Sequence, residues 1–262
     1  MMNRPTCWGR QYASAFQENS VAEAYNYRPP YPPVVFDVLA SLLPQHYRRI
    51  LDVGCGTGAL PRYLTSLGAP IDAVDISAVM IARGRSLPNG THPLINWTCG
   101  AVEEINLTPP YDLITAGDSL HWMEWRTVLP RFAELLAPQG RLAILELHQD
   151  PVPWSDQLGR LIRCYSLNQD YHAIDLIAEL EQRNLFTVKG RQTTPPWFFQ
   201  QSIDDYVESF HGRASFARER MAPQQAADFD HAVRTLVSLH CSDTVELPVV
   251  ATIVWGKPHL VG

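Results

Sequence analysis

ILDVGCGTGALPRYL, residues 50–64, places Gly54, Gly56 and Gly58 at alternate positions directly behind an apolar run. A strand that turns at once into a helix needs residues free to take φ > 0, and a ligand lying over that turn reaches the backbone only where side chains are missing. The glycine pattern is weak on its own, because a strand-to-helix turn without a ligand carries the same residues. The next apolar run, 70–75, ends in Asp75. It lies roughly 20 residues beyond the turn, where a carboxylate can accept hydrogen bonds from both hydroxyls of a ribose.

Two nucleoside ligands compete for such a turn. Gly54, Gly56 and Ala59 satisfy G-x-G-x-x-G/A, which admits a nicotinamide or flavin dinucleotide and so a dinucleotide-dependent oxidoreductase. Asp52, just before the first glycine, argues the other way. Its carboxylate repels a pyrophosphate and suits a ligand with a positive amino group. S-adenosylmethionine carries an ammonium, a sulfonium and a ribose, and no phosphate.

Working outward, apolar runs alternate with helical patterns, the signature of βαβ units and a parallel sheet. The pattern predicts strands over 49–53, 70–75, 94–98, 111–116 and 141–147, with helices over 32–43, 58–67, 77–83 and 125–136. Gly68 suits the C′ position of the second helix, and Pro138 with Gly140 stops the fourth. Beyond residue 147 the texture changes. Helices are expected over 155–168, 171–183, 203–210 and 223–239, with strands over 186–190 and 248–255. The late helices are expected to cover one end of the sheet, as cap insertions at 151–183 and 191–247 within one domain spanning 1–262.

Composition narrows the function classes. A formal net charge of -6 gives no cationic surface for a nucleic-acid backbone. Five scattered cysteines show neither a C-x-x-C pair nor a nearby Cys/His set, so neither a metal site nor a disulfide framework is indicated. The first 20 residues lack the apolar core of a signal peptide, and no run approaches the 18 or so apolar residues of a membrane span. A cytoplasmic protein with no membrane partner is the expectation; oligomeric state is not readable.

ILDVGCGTG resembles the first motif of the class I S-adenosylmethionine-dependent methyltransferases, and IDAVDIS, which holds Asp75, resembles their second. CGAVEEI (99–105) is similar to their adenine-flanking segment, YDLITAGDSLHWM (111–123) to the fourth-strand motif, and RFAELLAPQGRLAILE (131–146) to the helix and fifth strand. All five occur in order. SVAEAYNYRPPYPPVVFDVL (20–39), SLHWM and VELPVVATIVWGKP (245–258) further resemble a small-molecule subgroup that includes the trans-aconitate methyltransferases. The resemblance implies a doubly wound, seven-stranded, mostly parallel α/β sheet with an antiparallel last strand and a helical cap, plus an N-terminal lid segment over 1–31. It implies S-adenosyl-L-methionine as cofactor and leaves the substrate open.

Carried over residue by residue, the likeness puts Gly54, Gly56 and Gly58 beside the methionine and ribose portions, Asp75 on the ribose, Ile76 on the adenine face and Asp52 near the amino group. Arg28 would pair with the cofactor carboxylate, as a planar guanidinium can. Ala101, Val102 and Glu103 occupy the adenine segment, where the family commonly has an acid after the glycine. Gln139 stands where glycine is usual, in a structural turn. TPPYD (108–112) superficially resembles the D/N-P-P-Y tetrapeptide of nitrogen methyltransferases, but it precedes the fourth strand instead of ending it.

Ligands of open α/β sheets bind beyond the carboxyl ends of the strands, so Asp118, Ser119, His121 and Trp122 are placed to meet cofactor and acceptor. Asp118 is assigned to the cofactor side. His121 is the candidate general base, since an imidazole can take a proton from a hydroxyl as the methyl group arrives. A carboxylate acceptor would need no base. Among the aromatic residues outside the sheet, Tyr12 and Tyr25 are expected with Trp122 in the acceptor pocket. His211 and Arg213 fall where the resemblance puts substrate-facing residues, and a cationic Arg213 favours an acidic acceptor. The expected activity is methyl transfer to a small molecule, at a carboxyl or hydroxyl oxygen or at a carbon; a non-catalytic cofactor-binding module is the alternative outside enzymes.

Overall fold

The structure is a computed structural model that describes residues 5–46 and 49–260; residues 1–4 of the expected lid lie outside the described residues. Near-continuous burial in three of the first four strands sets the architecture. β1 (Ile50–Val53), β2 (Ile71–Asp75), β3 (Ile95–Cys99), β4 (Tyr111–Gly117) and β5 (Leu136–Gln149) pair in parallel, in the order β3-β2-β1-β4-β5. Because successive side chains point to opposite faces, Leu51, Val53, Ile114 and Ala116 pack under helix Trp125–Leu135, against Val128, Leu129 and Phe132. Ile50, Leu113, Ala143 and Leu145 pack on the other face against Val35, Val38 and Leu39 of helix Val34–Leu42. Both faces are thus covered, as a parallel sheet requires.

The far side of the sheet is antiparallel. β6 (Phe186–Thr193), β7 (Trp197–Ser202) and β8 (Thr244–Pro258) complete it, with β8 antiparallel to β5 and with both β6 and β7 paired to β8. The expected seven strands are therefore eight. The added one is β7, which follows Pro195 and Pro196 along the same side of β8; two residues without N–H donors break the edge there. β5 begins at Leu136, running through the expected APQG turn with a register shift between Tyr111 and Leu113 of its neighbour. β8 is longer at both ends than the apolar run alone suggested. Gly68 takes φ 75° at its helix end, as expected.

The cap has its own core. Trp154, Tyr206, Phe210, Phe216, Phe229 and Val233 cluster with Val245, Leu247 and Val249 of β8. Helix Leu176–Gln182 does not join them; Leu176, Ile177 and Leu180 pack into the sheet core beside Trp125 and Phe186. That part of the expected 151–183 insertion is a sheet-covering helix. Winding of the five parallel strands leaves Gly54, Asp75, Gly100 and Asp118 on one rim.

Candidate active site

A cavity of about 640 Å³ opens on that rim, within the range of roughly 300–1,000 Å³ typical of small-molecule sites. Its lining includes Gly54, Gly56, Asp75, Ile76, Ala101, Val102, Glu103, Asp118, Ser119 and Trp122, with Phe16, Gln17 and Tyr25 from the N-terminal segment. Gly54 has φ 66°, and a Cβ there would lie 2.5 Å from the Ser119 Cβ. Ser119 is itself fixed by donating its hydroxyl to the Val53 carbonyl at 2.6 Å. Gly58 is placed differently from the expectation. It lies outside the lining, and a Cβ would meet the Trp97 ring at 2.5 Å, so this glycine serves helix-to-sheet packing.

Asp75 holds the centre of the floor. One carboxylate oxygen accepts the Gly56 N–H at 2.7 Å and the other accepts the Ser77 N–H at 2.7 Å. Burial pushes its pKa up while these two donors oppose the shift. A carboxylate has about four acceptor positions, so two remain for hydroxyls in the cavity. Just past β2, Ile76 is 62% exposed, whereas the apolar residues of β2 are buried. An exposed isoleucine on a cavity wall, opposite buried Val102, is what a flat aromatic ring such as adenine would cover. The glycine cradle, the two-acceptor carboxylate and this apolar slot together fit S-adenosylmethionine.

At the end of β4 the backbone turns through Asp118 at φ 48°, an uncommon conformation for a residue with a side chain. The Asp118 carboxylate accepts the Leu147 N–H at 3.2 Å and the Tyr31 hydroxyl at 3.4 Å, and lies 4.0 Å from the Arg28 guanidinium. Burial raises its pKa, and Arg28 works against that rise. Arg28 lies over the Tyr25 ring, 4.8 Å from its centroid. Arg28 thus reaches the cavity through Asp118 and Tyr25 and is not itself in the lining.

The short helix Leu120–Trp122 sends its two aromatic residues to different places. Trp122 enters the cavity edge-on to Phe16, with centroids 5.7 Å apart. His121 is outside the lining and packs against Trp8 at 5.3 Å and Trp122 at 4.6 Å. A base must come within hydrogen-bond reach of the proton it takes; the structure places His121 against Trp8 and Trp122, outside the lining, and does not bring it together with the expected site residues that line the cavity.

Asp52 lies below the cavity and does not line it. It is 2% exposed, accepts the Thr115 hydroxyl, and shares the sheet face of Ile50 under helix Val34–Leu42. Burial raises its pKa to about 7, against the lowering effect of Thr115. A carboxyl raised from 3.8 to about 7 holds a proton in the folded protein that the unfolded chain releases, so its contribution to stability falls as pH rises from about 4 to about 7. Asp52→Asn should therefore raise the melting temperature relative to the native protein at pH 8, by several degrees more than at pH 4.5. Thermal melts at the two pH values would measure this, and an equal effect at both would contradict it.

The expected substrate residues separate. Tyr25 lines the cavity, whereas the Tyr12 hydroxyl donates to Asp170 at 3.2 Å and is outside it. His211 is fully buried; its Nδ1 lies 2.7 Å from the Phe216 carbonyl and its Nε2 2.7 Å from Asp230. With both nitrogens engaged it faces no acceptor, and it ties helix Ile203–His211 to helix Pro223–Ser238. Arg213 lies on Phe210, 4.7 Å from the ring centroid, and burial with repulsion from Arg28 lowers its pKa to about 10. Among the described residues it forms no ion pair.

Sequence reading missed several wall residues. Phe16 and Gln17 carry no motif. Ser77, buried behind the wall, had a signal, a serine just before a helical run: it caps helix Ala78–Ser86 by accepting the Met80 N–H at 3.2 Å, and its hydroxyl donates to the Phe16 carbonyl at 2.6 Å. Among the described residues, no group of three His, Cys, Asp or Glu is placed to hold a metal ion, and no helix is long and apolar enough to cross a membrane.

A parallel sheet in this order, closed by an antiparallel strand and carrying a glycine turn before Asp75, is the Rossmann-like fold of solved methyltransferase structures. Residues 50–140 match the family model of the methyltransferase domain. An uncharacterized methyltransferase of Mycobacterium tuberculosis is 33% identical over 160 residues, 60% of this chain and 62% of that protein. A ubiquinone biosynthesis O-methyltransferase of Rhodopseudomonas palustris is 33% identical over 103 residues, 39% of this chain and 41% of that one. The matches thus span less than two thirds of these relatives' own lengths. Among solved structures, a type II methyltransferase assigned in Anaeromyxobacter dehalogenans superposes with TM-score 0.59 at 22% identity, covering 88% of this chain and 99% of that one. A Thiobacillus denitrificans methyltransferase in complex with S-adenosyl-L-homocysteine gives 0.53 at 14% identity, covering 92% and 97%. Likeness at that identity establishes the fold.

Proposed function

We propose that this chain transfers the methyl group of S-adenosylmethionine to a small-molecule acceptor, at a carboxyl or hydroxyl oxygen. The observation that carries the reading is the cavity itself: its lining combines a bare glycine turn, a two-acceptor carboxylate and an apolar slot with Asp118 and Trp122. The cofactor would supply a carbon activated by its sulfonium. The chain's residues would hold that carbon in line with the acceptor and exclude water, and such positioning can provide much of the acceleration. Asp75 and Ile76 hold the nucleoside, Asp118 faces the amino end, and Trp122 with Phe16 and Tyr25 closes the side of the cavity.

An acidic acceptor fits best. Arg28 and Arg213, both outside the cavity lining, lie close enough for mutual repulsion, and among the described residues Asp118 is the carboxylate that stands near both. A partly buried cation without a paired carboxylate is costly unless an anion arrives. A carboxylate acceptor also has no proton to lose, which agrees with His121 packed away from the cavity. The O-methyltransferase relative supports oxygen as the acceptor atom.

A panel of small carboxylic acids and phenols, scored by mass for methylated product, tests the reading. Tight cofactor binding with no product from any of them would favour the non-catalytic module. Arg213→Gln should raise KM for an acid about 10- to 100-fold, the loss of one charge-assisted contact or pair. Cofactor affinity should stay within about twofold of the native value, and an unchanged KM would remove Arg213 from acceptor recognition.

A further inference from the structure

The roof of the cavity is the N-terminal segment: Ser14, Phe16 and Gln17 line it from above, and Tyr25 closes its end. A ligand bound against Asp75 is enclosed by this roof, and the roof is held from both sides: Cys7 and Trp8 sit in the sheet core and Phe16 meets Trp122. Ser77 donates to the Phe16 carbonyl, Asp118 meets Arg28 and Tyr31 at the end of the segment, and further polar anchors come from the cap side. Asn168 donates to the Cys7 carbonyl at 2.9 Å, and Glu219 accepts the Ser20 N–H at 3.0 Å and the Ser20 hydroxyl.

Arg220 is the densest of these anchors. Its Nη1 donates to the Gln11 carbonyl at 2.7 Å; its Nη2 donates to the Ser14 hydroxyl at 3.0 Å and to Glu18 at 3.1 Å, and its Nε reaches Glu18 at 3.3 Å. Three acceptors on two turns of the roof are thus gathered by one planar fork, a geometry that a lysine cannot reproduce. The base of the fork is rigid. Two residues earlier, Arg218 bridges Glu208 at 2.6 Å and Asp230 at 3.0 Å, and Asp230 also holds the buried His211. The cap core of Phe210, Phe216 and Phe229 lies behind these residues and does not include Arg220.

We propose that Arg220 is the latch of the roof, a positioning residue that keeps the N-terminal segment closed over the cavity and so sets how long the cofactor stays. The effect on residence time rests on the reading of the cavity as an S-adenosylmethionine site; the latch itself does not.

Arg220→Ala, Arg220→Lys and Glu18→Gln, made in the full chain, separate the two. Limited trypsin digestion without any ligand, followed by mass for cleavage after Arg10, reads roof opening. Stopped-flow displacement of S-adenosyl-L-homocysteine, followed by tryptophan fluorescence, reads residence time. Arg220→Ala should speed both by about tenfold, the order expected for losing charge-assisted hydrogen bonds, with a melting temperature close to native. Lysine should restore a minor part, and Glu18→Gln should show a smaller loss in the same direction. If Arg220→Ala fails to fold, Glu18→Gln carries the test from the roof side. Unchanged cleavage after Arg10 in the folded variants overturns the latch, as does faster cleavage spread evenly over the chain with a matching fall in melting temperature. Faster cleavage after Arg10 in a protein that binds no S-adenosyl-L-homocysteine upholds the latch and overturns the cofactor reading.

Discussion

Gly56→Val should abolish measurable binding of S-adenosylmethionine and its demethylated product, a loss of at least about a hundredfold in affinity. Gly56 lines the cavity with φ 52°, and its N–H is one of the two donors that orient Asp75. A left-handed conformation costs an ordinary residue about 1–2 kcal/mol, and a β-branched one more. That strain alone would lower stability without closing the site. The larger effect is occupancy: a Cβ at Gly56 meets only the Met80 Cε, at 3.3 Å, the end of a flexible side chain. The protein can therefore accommodate the valine, and the branches extend into the space a ligand needs. Gly68→Val is the control. Gly68 has a similar φ of 75° with nothing within 4 Å of a built Cβ, so it should show the strain without the occlusion. Calorimetric titration of both variants, with thermal melts, separates the two effects. Valine at residue 56 binding the cofactor within threefold of native affinity would mean that no ligand lies over this turn.

The parallel half of the fold was legible because β1, β2 and β4 are short, apolar and each followed by a helix, the first of these stopping at Gly68. The rim residues followed from it: Gly54, Gly56, Asp75, Ile76, Ala101, Val102, Glu103, Asp118, Tyr25 and Trp122 all line one cavity. The antiparallel half was harder, since β7 stands behind Pro195 and Pro196 and reads as a loop. Side-chain direction was the other blind spot. His211 lies four residues after Val207, on the buried stripe of its helix, a spacing that sequence alone could have used. His121 and Trp122 are adjacent in a tight helical turn, where a one-residue step is enough to send the first out of the cavity and the second into it. Asp52 shows a third limit: its acidic character was visible, but its place under the sheet face depends on Thr115 in a strand 63 residues away.

Asp75→Ala should weaken S-adenosyl-L-homocysteine binding by roughly 10²–10⁴-fold. A hydrogen bond to a charged acceptor contributes about 1.5–3 kcal/mol, and two ribose hydroxyls would lose one each, so the sum of about 3–6 kcal/mol sets that range. The substitution also strips the acceptor from the Gly56 and Ser77 N–H groups, so the turn itself loosens. Asp75→Asn should fall between, since the amide keeps one acceptor oxygen and turns a donor toward a backbone N–H. The sign with pH follows from burial, which raises the Asp75 pKa above 3.8. The ionised form is the one that accepts from both hydroxyls, so native affinity should fall as pH drops through that raised pKa, and the alanine variant should lack that part of the pH dependence. A dinucleotide would use the same carboxylate on its ribose, and loss of binding in the variant therefore does not tell the two ligands apart. The native protein does: a pyrophosphate over Gly54 would face the Asp118 carboxylate in the same cavity, whereas a sulfonium and an ammonium there gain from it. Titration of the native chain with S-adenosyl-L-homocysteine and, separately, a nicotinamide dinucleotide should yield binding for the first alone, and the reverse order would replace methyl transfer by hydride transfer as the chemistry of this site.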